Sequence, residues 1–230
     1  MHKLTTFMSI AYGTEYHHTG TAHFFNDSEC FDEFYALVLG ADKDVVDLGF
    51  NIGLQAELVM RHTRGRVFGF EASQRIYEHA CERFKGNPQV HLYNLAVSNA
   101  SGTAEFIDTA FWGAGSLKYT AGMVSCAVGE RYEKTEVELV RLDDVLHDEN
   151  NIGVIKLDIE GAELLALEGA RELLARNRPF MVMEYCHNAL AFEFRGAPIT
   201  GETLFHFANE LGYKVYNIYG ICLSNPRVWE

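Results

Sequence analysis

Three charged side chains punctuate one apolar stretch of this 230-residue chain: in GVIKLDIEGAELLALEGA, Lys156, Asp158 and Glu160 alternate with Ile155, Leu157 and Ile159. Strand side chains alternate with period two, so the three charges share one face of a strand that otherwise reads as buried. A buried ammonium is costly without a partner, and Asp158 is the carboxylate nearest to Lys156 in sequence. Two readings follow. Either Lys156 and Asp158 form an ion pair that holds the strand end, or Asp158 takes a proton or orients a reacting group, with Lys156 one step deeper. Glu160 stands before a helix, where a carboxylate favours the N-terminus, so capping and chemistry are both open to it. Glu184 and His187, in MEYCHN at the end of a later strand, belong to the same rim. The imidazole is a candidate general base; an ordinary surface histidine is the plainer alternative. Asp158, Glu184 and His187 are also donors that suit a divalent ion, but their spacing is not that of a tight ligand set, and no metal is expected.

A second group of residues opens at VVDLGFNIG, a short apolar run that ends in a glycine turn and leads into the helical LQAELVMRHTRG. In an open α/β sheet a ligand sits beyond the carboxyl end of such a strand, against the turn. Gly49 and Gly53 permit close approach. The pattern is nevertheless DxGxNxG rather than GxGxxG, and Asp47 repels a pyrophosphate, which argues against a nicotinamide cofactor and a dehydrogenase. An amine-bearing or cationic ligand suits the turn better. Glu71 ends the next strand, RVFGFE, where a carboxylate accepts hydrogen bonds from both ribose hydroxyls. A nucleoside without a pyrophosphate satisfies both observations, and S-adenosylmethionine is the expected cofactor.

The elements that must position these groups alternate along the chain. NDSECFDEFYALVLG reads as a helix, DVVDLG as a strand, LQAELVMRHTRG as a helix, RVFGFE as a strand and QRIYEHACERFKG as a helix capped by Ser73. VHLYNLAV is a third strand. TAEFID and TEVELVRL then read as strands flanking a glycine-containing excursion, in which Phe111, Trp112, Ser116, Lys118 and Tyr119 either cover a sugar-like acceptor or pack on the core. GVIKLDIE, the helix GAELLALEGARELLARN, the strand PFMVMEYC and a helix near TGETLFHFANELG restore the alternation, and KVYNIYGICLSN closes as a hairpin. Strands separated by helices predict a mostly parallel sheet covered on both faces, with an antiparallel pair at its end.

Composition narrows the partners. Nineteen basic against thirty-two acidic residues give a formal charge of -13, which disfavours a nucleic-acid surface and points to small molecules. Five widely spaced cysteines without a CxxC pair read as reduced thiols, hence a cytoplasmic location. Neither a secretory leader nor a membrane span is apparent. The length suits one domain over residues 1–230, with 1–40 as an N-terminal lead or lid and 109–134 as a substrate loop.

In chain order, VVDLGFNIG, VFGFEAS, VHLYNLAVSNASGTAEF, VRLDDVL, IKLDIEGAELLALEGARELL and RPFMVMEY resemble the FkbM family of S-adenosylmethionine-dependent methyltransferases, over roughly residues 42 to 186. The resemblance implies a class I methyltransferase (Rossmann-like) fold: a doubly wound, mostly parallel sheet of seven strands with the last strand antiparallel. It implies methyl transfer to a hydroxyl of a sugar or secondary metabolite, a small-molecule acceptor rather than nucleic acid or membrane. It places Asp47, Gly49, Asn51 and Gly53 around the methionine and ribose, Glu71 on the ribose hydroxyls, and Asn94 and Ala96 near the adenine. Phe50 replaces the small residue usual in the glycine turn, and Ala72 the proline usual after the acidic residue. Asp158, Lys156, His187 and Glu184 are then the expected catalytic group. The alternative is an inactive nucleoside-binding or protein-interaction module on the same fold.

Overall fold

Adjacent residues of each apolar run go to opposite sides of one sheet, and this separates two cores. Val45, Val67, Val154 and Val182 pack on one face with α1 (Asp27–Val38), α2 (Leu54–Val59) and α3 (Gln74–Arg83). Their neighbours Val46, Phe68, Ile155 and Met181 pack on the other, with α4 (Leu142–Val145), α5 (Glu163–Glu168), α6 (Arg171–Asn177) and α7 (Gly201–Glu210). Such continuous apolar runs are what a sheet buried on both faces requires. The computed structural model describes residues 6–11, 27–109, 132–185, 193–194, 196–217 and 222–224.

The strands are β1 (Thr6–Ala11), β2 (Asp44–Leu48), β3 (Val67–Phe70), β4 (Val90–Tyr93), β5 (Ala96–Val97), β6 (Gly102–Thr109) and β7 (Tyr132–Val140). They continue as β8 (Ile152–Leu157), β9 (Phe180–Tyr185), β10 (Glu193–Phe194), β11 (Ala197–Pro198), β12 (Lys214–Asn217) and β13 (Cys222–Leu223). The main sheet runs β13-β12-β1-β9-β8-β2-β3-β4. Every neighbouring pair in it is parallel except β12 with β13, the antiparallel last strand expected. The chain winds outward from β2 through β3 and β4, and from β8 through β9 in the opposite direction. The switch point, where such sheets open a crevice, lies between β2 and β8.

The expectation of seven strands needs correction, since eight pair among the described residues. The addition is β1, in the segment read from sequence as a lead. It lies between β9 and β12, with Met8 opposite both Val182 and Tyr216. Its run TFMSIA is short and lies within a polar lead, so it carries no strand signal in the sequence alone. The long helix GAELLALEGARELLARN divides into α5 and α6 at Gly169, where a Cβ would stand 2.1 Å from the Ser98 carbonyl oxygen. A second sheet, β5-β7-β6, contains the two strands expected to flank the excursion, with β6 antiparallel to β7. Residues 110–131, and with them Phe111, Trp112, Ser116, Lys118 and Tyr119, lie outside the described residues. No helix among the described residues is long and apolar enough to cross a membrane.

Phe50 fills the α1–α3 face. Its ring meets Phe84 edge-on at 5.5 Å, and it occupies the space above Gly69 of β3, whose added Cβ would lie 2.2 Å from the Phe50 ring. Gly69→Ala is therefore expected to lower stability by about 1–3 kcal/mol in urea unfolding, the usual cost of overpacking. In a Phe50→Ala background the penalty should largely vanish; an undiminished penalty would remove the Phe50 contact as its cause.

Candidate active site

The turn after β2 is shaped by how closely it meets the end of β8. Gly49 adopts φ 76°, and a Cβ there would lie 1.8 Å from the carbonyl oxygen of Asp158. Only glycine allows this approach. The Asp158 N–H donates to the Leu48 carbonyl at 3.1 Å, joining the two chain segments at that point. Asn51 continues the turn at φ 52°, a left-handed conformation asparagine tolerates, and its Oδ1 accepts from the Ile52 N–H at 2.7 Å. Gly53, at φ 81°, faces away from the turn's open side: a Cβ there would meet the Phe84 and Phe50 rings at 2.3 and 2.6 Å.

Register explains the buried charges. In the parallel pairing of β2 with β8, Asp47 stands beside Lys156. Lys156 Nζ lies 3.1 Å from Asp47 Oδ1 and 3.4 Å from Asp158 Oδ2, and donates to the Gly49 and Leu48 carbonyls at 2.8 and 3.4 Å. The Asp47 contact is an ion pair whose angles fall outside hydrogen-bond geometry. The side chains of Asp47 and Lys156 are 2% and 6% exposed, against 40% for Asp158. Burial works against the ammonium, and Asp47 and then Asp158 more than reverse it, so Lys156 is held above the usual lysine pKa and stays charged. Lys156 thus pairs with Asp158, as sequence proximity suggested, and more closely with Asp47, which the register supplies.

Beyond this pair opens a cleft that is continuous with solvent. Leu95, Ala96, Val97, Ile76 and Phe106 give it an apolar wall; Gly49, Asn51, Glu71, Asp158 and Glu160 give it a polar rim. Glu71 is fixed from behind: Oε2 accepts from the Asn51 N–H and Oε1 from the Ser73 N–H, each at 2.9 Å. Burial raises its pKa, with the two amides opposing. Asn94 donates to the Glu71 and Ala72 carbonyls at 2.8 and 3.2 Å, tying down the segment that carries Glu71. Ser73 caps α3 by accepting from the Ile76 N–H and donates at 2.6 Å to Asp108 at the end of β6.

The structure therefore brings together Gly49, Asn51, Glu71, Ala96 and Asp158 at the cleft. Asp47, Lys156, Gly53 and Asn94 stand behind it as supports. Glu184 is on β9, at the edge of the described chain, and His187 lies outside the described residues. Among the described residues no group of three or more His, Cys, Asp or Glu is arranged to hold a metal ion. One correction concerns Glu160. β8 ends at Leu157, so the strand alternation stops there and Glu160 sits in the following turn at φ 54°. The residue that organises this turn is Glu163, whose Oε1 accepts from the Ile159 and Gly161 N–H groups at 3.0 and 3.2 Å. Its position at the start of a helix was the available signal.

A family model described as the methyltransferase FkbM domain matches residues 47–215. A curated relative, the 2-O-methyltransferase NoeI of Sinorhizobium fredii (strain NBRC 101917 / NGR234), is 25% identical over 169 residues, 69% of each chain. Among solved structures, a SAM dependent methyltransferase from Aquifex aeolicus is 11% identical, with 81% of this chain and 79% of that one covered at a TM-score of 0.43. A second, from Thiobacillus denitrificans in complex with S-adenosyl-L-homocysteine, is 25% identical over 31% of this chain and 32% of its own, at a TM-score of 0.26. The protein is an S-adenosylmethionine-dependent methyltransferase with a Rossmann-like α/β fold. Within that class the chain belongs to the FkbM methyltransferase family. The cleft suits this cofactor, having an apolar wall for a base, a buried carboxylate for a diol and two carboxylates for a cation.

Two consequences can be measured. Lys156→Met leaves Asp47 buried without its cation and is expected to cost about 3–5 kcal/mol in urea unfolding, whereas Asp47→Asn combined with Lys156→Met should recover most of that loss. Burial raises the Glu163 carboxyl from 4.5 to about 7, against its backbone hydrogen bonds. The folded state thus keeps a proton that the unfolded chain releases. The associated stability is complete below pH 4.5 and is lost as pH rises towards about 7. Glu163→Gln keeps the acceptor oxygen and removes the charge, so it should flatten this slope and stabilise the apo-protein at pH 8 by about 1–3 kcal/mol in denaturant titrations.

Proposed function

We propose that the protein transfers the methyl group of S-adenosylmethionine to a hydroxyl of a small molecule, a sugar or secondary metabolite. The observation that carries this reading is the mixed lining of the cleft: Glu71, Asp158 and Glu160 share it with the apolar Ile76, Leu95, Ala96, Val97 and Phe106. In this reading Ile76, Leu95, Val97, Ala96 and Phe106 enclose the adenine, Glu71 accepts from the ribose hydroxyls, and the Gly49–Asn51 turn borders the methionine portion. Asp158 faces the sulfonium end and orients the acceptor. Asp47, Lys156, Gly53 and Asn94 act through position, by holding the turn, the end of β8 and the Glu71 segment. Methyl transfer from a sulfonium is an in-line displacement, so alignment of acceptor oxygen, methyl carbon and sulfur is the larger part of the catalytic task.

The likeness to a 2-O-methyltransferase supports oxygen as the acceptor atom. The formal charge of -13 and the acidic rim disfavour a polyanionic nucleic acid. Acceptor choice is assigned to the segment 109–134, because β6, which leads into it, supplies Phe106 to the cleft and Asp108 to the Ser73 contact beside Glu71. A single domain over 1–230, with 1–40 contributing to acceptor enclosure, completes the reading.

Isothermal titration separates this from a nicotinamide enzyme. S-adenosylhomocysteine should bind and NAD should not, and Glu71→Ala should weaken S-adenosylhomocysteine by about tenfold or more, the loss of charge-assisted hydrogen bonds. Failure of the wild-type protein to bind S-adenosylhomocysteine would overturn the assignment of this cleft.

A further inference from the structure

The turn 158–161 holds one residue in a conformation its side chain disfavours. Glu160 is in the left-handed region at φ 54°, where a non-glycine residue other than asparagine or aspartate is uncommon, and such strain persists only where surrounding contacts impose it. The contacts are visible. On either side of Glu160, the N–H groups of Ile159 and Gly161 are both taken by Glu163 Oε1, and the start of the turn is fixed where the Asp158 N–H meets the Leu48 carbonyl. With its flanking amides turned towards Glu163, Glu160 is presented to the cleft, which it lines together with Asp158.

These two carboxylates are not equivalent. Asp158 stands 3.4 Å from the buried Lys156 ammonium, which offsets its charge. Glu160 has carboxylates on both sides: among the described residues Asp158 and Glu163 oppose its ionisation and Lys156 favours it. Building on the proposed methyl transfer, we propose that Glu160 is the catalytic base, the group that touches the acceptor hydroxyl and takes its proton, while Asp158 holds the acceptor in line. The acceptor O–H proton passes to a Glu160 oxygen as the acceptor oxygen forms its bond to the methyl carbon. The carbon–sulfur bond breaks with its electron pair going to sulfur, so the sulfonium becomes a neutral thioether. Protonated Glu160 then returns its proton to solvent. Burial, Asp158 and Glu163 push the Glu160 carboxyl up from 4.5 to about 7, the range in which a base is effective at neutral pH.

The role can be tested without knowing the acceptor. A sulfonium beside Glu160 favours the ionised carboxylate, so S-adenosylmethionine binding at pH 7 should release about half a proton per site, read by calorimetry in buffers of different ionisation enthalpy. Neutral S-adenosylhomocysteine should release far less. Glu160→Gln should abolish the release while leaving S-adenosylhomocysteine affinity within a few-fold, which also shows that the variant folds. Sinefungin, which carries a protonated amine at the position of the methyl-bearing sulfonium, should lose about tenfold of its preference over S-adenosylhomocysteine in the same variant. Proton release that survives Glu160→Gln, or an unchanged sinefungin preference, would overturn the assignment of the base. Loss of S-adenosylhomocysteine binding in the wild-type protein would instead overturn the methyl-transfer reading beneath it.

Discussion

A single ammonium in the middle of an apolar sheet governs the geometry of this molecule's switch point. Lys156 is almost wholly buried, and an isolated charge at such a depth is prohibitively costly. It is tolerated because the parallel register sets Asp47 beside it, Asp158 lies just past the strand end, and two carbonyls of the β2 turn accept from it. The partners come from two pieces of the chain, residues 47–49 and the end of β8, so satisfying one side chain also fixes the distance between those pieces. The net worth of such a pair for stability is small, since desolvation cancels much of the attraction. Its structural value lies in geometry: β2, its turn and the end of β8 cannot shift independently without stranding a charge.

The glycines around the switch point show the same constraint from the side of volume. Gly49 permits the turn to touch the Asp158 carbonyl, and Gly69 makes room on β3 for the ring of Phe50. Phe50 is the departure from the family's small residue in the glycine turn, and its placement explains why the departure is harmless to the cleft. The ring points to the α1–α3 face, packs on Phe84 and is absent from the cleft lining. Large residue and missing Cβ compensate across adjacent strands. Ala72, the second departure, lines the cleft, and Asn94 holds its carbonyl.

Much of the architecture was legible because the strands are short apolar runs punctuated by glycine, and β2, β3, β8 and β9 announce themselves by composition alone. So was the position of Glu71 at a strand end, which follows from the run RVFGFE without any tertiary knowledge. What stayed hidden depends on pairing at long range. β1 went unread because TFMSIA is a short run inside a polar lead, and only its pairing with β9 and β12 marks it as a strand. Lys156 does pair with Asp158, the nearest carboxylate in sequence, but its closer partner, Asp47, is supplied by sheet register from more than a hundred residues away. The inward position of Asp47 is itself a matter of parity: it shares a face with Val45, towards α1–α3, while Leu48 and Phe70 turn towards the cleft. Glu160 and Glu163 were confusable because alternation was extended three residues beyond the true end of β8.

An acidic cleft on an acidic protein imposes a condition on its own chemistry. Glu71, Asp158 and Glu160 line one small space; burial, aided by Asp108, raises Glu71, and burial, aided by Asp158 and Glu163, raises Glu160. A cation entering that space relieves the repulsion, and the gain grows as water is excluded and the local dielectric falls. A neutral ligand of the same shape offers no such relief. Methyl transfer converts the first kind of ligand into the second, since a sulfonium leaves as a thioether. The field that draws the charged cofactor in therefore weakens its hold on the product, and the chemical step itself supplies the change that favours release. Lys156 limits this effect to a useful size: by compensating Asp158 it keeps the cleft from becoming so negative that its carboxylates simply protonate, which would abolish both the attraction and the base.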